Sequence, residues 1–219
     1  MIIHSDAWRV IIATGLDRPS TNRKTGNQIQ IWILPALVDP IHAVQTGHDT
    51  VICGECPLRG RDGKERACYV NIGQAPLSIW RAWKAGKYPA FDVEAFRGSA
   101  VRFGAYGDPV HLPLPILKCI AAVASGWTGY THHWRDPLRS GYREFLMASC
   151  ETADDAQRAH WRGWRTFRFT RLPVAGEIEC PSVTRGVQCA DCQLCAGASK
   201  SAKSIFIRPH GSGAKFIKS

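Results

Sequence analysis

The sequence predicts an α/β fold: a minimised or incomplete (β/α) barrel of parallel strands, ending in a cysteine-rich metal-binding segment. Short apolar runs alternate with helix-length amphipathic stretches between residues 75 and 169, and strands that return after a helix pair in parallel through right-handed crossovers. About five or six strands can be read in 219 residues, whereas a full eight-strand barrel uses ~250. Seven of the nine cysteines form two groups set in Gly, Pro, Gln, Asp and Arg-rich sequence rather than in apolar periodicity, which is how thiolates are presented to a metal.

Taken in order, residues 10–13 and 29–34 are apolar runs separated by a polar, turn-rich stretch. That pattern reads as strand, excursion, strand. From about residue 39 to 73 periodicity gives way to Gly, Cys and charge, so the first cysteine group lies in a long inserted loop, a feature that is commonly functional. Leu77, Ile79, Trp80 and Trp83 stand at helical spacing within residues 75–85, and Gly86 with Pro89 stops the helix. Strands are expected at 101–106, 128–132, 144–149, 166–169 and 204–207, with helices at 114–125 and 153–164. Thr152 is placed to cap the last helix, with Asp154 and Asp155 on its first turn. Cys119, Trp161 and Trp164 are assigned to the buried faces of their helices, and residues 210–213 to a turn. The division expected is a core of residues 1–175 and a cysteine-rich segment of residues 176–219 packed on it.

A disulfide framework is the competing reading of so many cysteines, and it belongs to small exported chains. Residues 1–16 interrupt their apolar runs with His4, Asp6 and Arg9 and offer no small-residue cleavage site. No stretch approaches the roughly 20 apolar residues of a membrane span. The expectation is therefore a cytoplasmic protein with reduced thiols and no membrane partner. Net charge is +10, and from Trp161 onward ten Lys or Arg face only Glu177, Glu179 and Asp191. A nucleic acid, DNA or tRNA, is the natural partner of that half, with Arg165, Arg168, Arg185, Lys200 and Lys203 as its contacts. Oligomeric state is not legible.

Cys53, Cys56 and Cys68 run C-x2-C-x11-C and supply three thiolates, leaving an open fourth position that His42 or His48 could close. Cys180, Cys189, Cys192 and Cys195 run C-x8-C-x2-C-x2-C, enough for one tetrahedral zinc or one [4Fe–4S] cluster. Reactive groups of parallel α/β folds collect at strand carboxyl ends. Those ends carry Tyr106 and Asp108, His132 and His133, and Cys150 and Glu151. Tyr106, Asp108, His132 and Glu151 are thus the candidate catalytic residues, although Asp108 in Gly-Asp-Pro equally suits a turn and Glu151 a helix start. Both cysteine groups are expected at that same edge.

Asn22-Arg-Lys-Thr-Gly26, Cys53-Gly-Glu-Cys56-Pro, Ala67-Cys-Tyr-Val70, Arg102-Phe-Gly-Ala-Tyr-Gly-Asp-Pro109, Trp127-Thr-Gly-Tyr-Thr-His132, Met147-Ala-Ser149 and Gly163-Trp-Arg-Thr-Phe-Arg168 together resemble a family of cysteine-rich phage and prophage proteins. That likeness implies a host-cell cytoplasmic location and brings no activity with it. The order of cysteine loop, Tyr69, helix and Gly-rich strand end is similar to radical-SAM barrels. This second resemblance implies a [4Fe–4S] cluster on Cys53, Cys56 and Cys68, with S-adenosylmethionine held by Gly104, Gly107 and Asp108; the family's C-x3-C-x2-C is replaced here by C-x2-C-x11-C. A looser likeness to guanine transglycosylases implies Asp108 as nucleophile beside a C-terminal zinc site. Two functions follow as expectations. One is a metal- or Fe–S-dependent enzyme that modifies a nucleobase in DNA or tRNA. The other is a non-catalytic zinc protein that binds nucleic acid or a host factor.

Overall fold

The structure, a computed structural model, describes residues 1–18, 20, 22–60 and 65–209. Its strands are β1 (Ile2–Ser5), β2 (Arg9–Thr14), β3 (Ile29–Pro35), β4 (Ala100–Tyr106), β5 (Gly126–Thr131), β6 (Met147–Cys150), β7 (Thr166–Phe169), β8 (Glu177–Glu179) and β9 (Ser204–Ile207). Among the described residues they form one sheet in the order β1-β2-β3-β4-β5-β6-β7-β9-β8. The first two pairings are antiparallel and every later one is parallel. The mixed α/β class and the parallel core are as expected, and the pairing leaves β1 and β8 at the two edges.

Crossovers carry the helices. α1 (Pro40–Gln45), α2 (Thr50–Cys53) and α3 (Ala75–Lys84) lie between β3 and β4, α4 (Leu114–Val123) between β4 and β5, and α5 (Ala153–Trp161) between β6 and β7. Local chemistry starts them where it should. The Asp39 carboxylate accepts from Ile41 N at 2.9 Å and His42 N at 3.1 Å, with Pro40 in the first turn. Thr152 Oγ1 accepts from Asp155 N at 3.0 Å, the cap expected from sequence.

Nearly all of β3 is buried because a parallel strand is covered on both faces. Along β4 and β5 the period of two separates the faces. Val101 and Phe103 join the core, whereas Arg102, Gly104, Tyr106, Thr128 and Tyr130 line a cavity on the other side. Phe96, Phe103, Leu112 and Leu117, all fully buried under the helices, contribute ~1.5–3 kcal/mol each by leaving water.

Several expectations are corrected. Residues 2–5 and 177–179 add two short strands, and residues 137–144 form a 3-10 helix, so β6 begins at Met147 rather than at 144. Cys119 and Trp161 are exposed, since α4 and α5 turn them outward, while Trp164 beyond α5 is buried. The segment after residue 176 contributes β8 and β9 to the same sheet. Residues 210–213, expected as a turn, lie outside the described residues.

Candidate metal and substrate cavity

A partly open cavity of ≈ 400 Å³ is lined by all seven clustered cysteines together with Asp108 and His132. The first group stands at the carboxyl ends of β4 and β5. Its loop is fastened from below by Arg59, which is almost fully buried, is paired with Asp49, and donates to Gly54 O at 2.9 Å and Gly47 O at 2.8 Å. Cys68 N donates to Leu58 O at 2.8 Å, and Arg66 Nη1 reaches Cys68 O at 3.2 Å and Val70 O at 3.0 Å. Asp108 N donates to Ile52 O at 2.7 Å, tying the loop to the end of β4. Neither Arg59 nor Arg66 was a candidate from sequence, because an arginine in a charged loop gives no sign of being internal.

Asp108 is buried, and both of its carboxylate oxygens are engaged: Oδ1 accepts from Val110 N at 3.2 Å and Oδ2 from His132 N at 2.9 Å. The turn reading of Gly-Asp-Pro therefore describes its geometry. Gly104 and Gly107 both sit at positive φ, +78° and +77°; a Cβ would meet Pro109 Cδ at 2.8 Å in the first case and Ile33 O at 2.7 Å in the second. Backbone geometry alone requires glycine there.

His132, unlike His42 and His48, lines the cavity beside the first group. Its Nε2 lies 3.9 Å from Cys56 Sγ and 2.9 Å from Glu151 Oε1. Burial opposes an imidazolium, yet the Cys56 thiol and the Glu151 carboxylate outweigh it and raise His132 well above its ordinary value. Tyr106 is buried with its hydroxyl unpartnered among the described residues, and burial raises it strongly. Burial likewise pushes the Cys53 and Cys68 thiols up, and the neighbouring Cys56 adds to both shifts. His133 packs its ring against Gly54 of the cysteine loop, where a Cβ would collide with its Nε2, and meets His111 edge-on at 5.5 Å between centroids.

The second group corrects an expectation: it lies beside the first half of β4 and β5, at the other end of the cavity. Cys189 N donates to Lys24 O at 2.9 Å, Ala190 N to Thr25 O at 3.1 Å, and Gly129 N to Cys195 O at 3.1 Å. Burial drives the Cys195 thiol up to about 12, partly offset by the Tyr130 hydroxyl bonded to it. Cys189 faces Arg102, whereas Tyr106 faces Cys53 and Cys68. Those two positions are four residues apart on β4, about 13 Å at the rise of a strand. Among the described residues no three His, Cys, Asp or Glu stand at the mutual spacing of a preformed metal site.

Two of the predicted nucleic-acid contacts are engaged by other groups of the chain, Arg165 half-buried and Arg168 buried. Arg165 donates to the carbonyls of Ala202 (2.8 Å), Leu194 (2.8 Å), Gly197 (3.0 Å) and Lys203 (2.6 Å), clamping the C-terminal segment. Arg168, 3 % exposed, forms a two-point ion pair with Glu177, 1 % exposed, at 2.6 and 2.9 Å. Glu177 completes a pairing that withdraws this arginine from any phosphate. Arg185, Lys200 and Lys203 are exposed.

No helix among the described residues is long and apolar enough to cross a membrane. Comparison with family models, curated proteins and solved structures finds no match to this chain.

Proposed function

We propose that the chain is a metal-dependent enzyme that modifies a nucleobase, with Cys53, Cys56 and Cys68 holding an iron–sulfur cluster and Cys180, Cys189, Cys192 and Cys195 holding a second metal centre. In this reading the sheet curves round the cavity as an incomplete barrel, and the C-terminal segment forms its metal-bearing wall. One observation carries it: both thiol groups face a single cavity, where a purely structural zinc site needs none. The donor chemistry fits, since three soft thiols on a loop fastened by Arg59 and Arg66 leave one coordination position open. With S-adenosylmethionine bound, such a cluster supplies one-electron chemistry.

The chain's own residues prepare the site. Glu151 orients His132, Asp108 holds the His132 backbone, and Tyr106 keeps a buried hydroxyl near Cys53 and Cys68. Base exchange through Asp108 is the weaker version, because both carboxylate oxygens already take main-chain N–H groups. Of the predicted nucleic-acid contacts, Arg185, Lys200 and Lys203 are exposed.

Anaerobically purified protein is expected to contain iron and acid-labile sulfide, and nucleosides from cells expressing it to include a new base by mass spectrometry. Stoichiometric zinc without visible absorbance would end the radical version. A second reading rests on the 3.9 Å approach of His132 Nε2 to Cys56 Sγ. That imidazole would close a Cys3His zinc site in a non-catalytic protein binding nucleic acid or a host factor, and unchanged nucleosides with salt-dependent binding are its signature.

A further inference from the structure

The half of the cavity beside the second cysteine group carries polar groups that its own fold leaves unmatched. Gln28 is fully buried just before β3; its Nε2 donates to Thr128 Oγ1 at 3.2 Å and to Val101 O at 3.5 Å. Its Oε1 has no partner among the described residues, and neither has the hydroxyl of buried Thr25. Both residues line the cavity. A buried oxygen left unmatched loses the hydrogen bonds it had in water.

Arg102 lines the same half of the cavity. Among the described residues its one hydrogen bond runs from Nη2 to Tyr69 Oη at 2.8 Å; the Cys189 thiol stands near it, and no carboxylate is paired with it. A guanidinium has five N–H donors, so most of its capacity faces elsewhere. Beside it the rings of Tyr130 and Phe167, with centroids 4.3 Å apart, form an aromatic wall of the cavity.

A carboxamide oxygen without a donor calls for an N–H, a guanidinium without a carboxylate calls for an anion, and ring faces call for a planar group. One small molecule brings all three: an N–H-bearing heterocycle joined to a phosphate. We propose that this half of the cavity is a binding subsite for a single nucleotide, its base read by Gln28 against Tyr130 and its phosphate taken by Arg102. The inference rests on the base-modifying reading and narrows it, since the ligand enters as a mononucleotide rather than along a polymer. Two observations favour the small ligand. The C-terminal segment is hydrogen-bonded to residues 24 and 25 at the cavity's side, and Arg165 and Arg168 are consumed inside the protein.

The test is calorimetric titration of the full-length, metal-loaded protein with AMP, GMP, CMP and UMP, with the four matching nucleosides, and with a short single-stranded DNA. At least one monophosphate is expected to bind about ten-fold more tightly than its nucleoside. Arg102→Met should remove that preference and Arg102→Gln should do the same, while Gln28→Leu weakens nucleoside and nucleotide alike; circular-dichroism melting checks that each variant folds. Equal binding of nucleoside and monophosphate, no binding of either, or binding of the DNA alone overturns the subsite. Nucleotide binding by protein that holds only zinc would leave the subsite standing and remove the radical chemistry. An iron-loaded protein that alters cellular nucleosides without binding any monophosphate would do the reverse.

Discussion

The main-chain N–H of His132 donates to Asp108 Oδ2 at 2.9 Å, so the end of β5 hangs on a carboxylate at the end of β4. The other oxygen of the same carboxylate caps the 3-10 turn that begins at Pro109. A residue that sequence reasoning placed among the catalytic candidates is thereby a positioning residue for His132 and, through Asp108 N and Ile52 O, for the cysteine loop.

Asp108→Asn keeps one acceptor and sets an amide N–H against a main-chain donor. Stability should fall by about 1–3 kcal/mol, the cost of leaving a buried donor unmatched. Urea denaturation measures it. An unchanged midpoint would mean that the two hydrogen bonds do not hold the strand ends.

The Arg168–Glu177 pair makes a sharper case, because both side chains are almost wholly removed from water. Arg168→Met or Glu177→Leu alone leaves one buried charge, at a cost of about 3–5 kcal/mol. The double variant Arg168→Met/Glu177→Leu should lose less than the sum of the single losses, as a double-mutant cycle would show. Additive losses would contradict direct pairing.

About 13 Å of β4 separates the positions facing the two cysteine groups. Cys56→Ala should therefore lower the metal content of the first group and spare the second, and Cys192→Ala the opposite. Elemental analysis with sulfide determination distinguishes them. A single substitution that empties both would point to one shared centre.

His111 supplies a pH dependence. Burial, then Arg9, His133 and Arg139, depress its imidazole to about 3, with Asp6 acting weakly the other way. Arg9 Nη1 lies 2.6 Å from its Nδ1, which must stay unprotonated to accept. The folded value lies below the ordinary 6.5 of the unfolded chain, so the unfolded state binds more protons between them. This contribution is complete above about pH 6.5 and is lost as pH falls toward 3, at up to about 1.4 kcal/mol per pH unit. Urea midpoints between pH 7 and 4.5 should fall less steeply in His111→Leu than in the parent; parallel slopes would show that His111 titrates normally in the folded protein.

The strands at the middle of the sheet were legible because apolar runs bounded by Gly, Pro and polar residues leave few alternatives, and β7 and β9 match their expected bounds. Thr152 was legible for a local reason, since a cap is read from its neighbours alone. β1 and β8 were not, being four and three residues without a pattern of their own until a partner strand supplies the pairing. The candidate site divides the same way. Sequence placed Tyr106, Asp108, His132 and Glu151 at strand ends and grouped the cysteines, yet it put both groups at one edge and missed Gln28, Arg59 and Arg102.

By itself the sequence determined the α/β class, the places of the central strands, the starts of the longer helices and the grouping of seven cysteines into two sets, because these follow from backbone preference and short-range periodicity. Tertiary structure alone decided that the two groups face one cavity from opposite ends, that Arg165 and Arg168 are engaged within the chain, and that Asp108 spends both oxygens on backbone. Those outcomes depend on which distant groups meet. An arginine or a carboxylate has the same local signature whether its partner is water or a residue brought to it by the sheet.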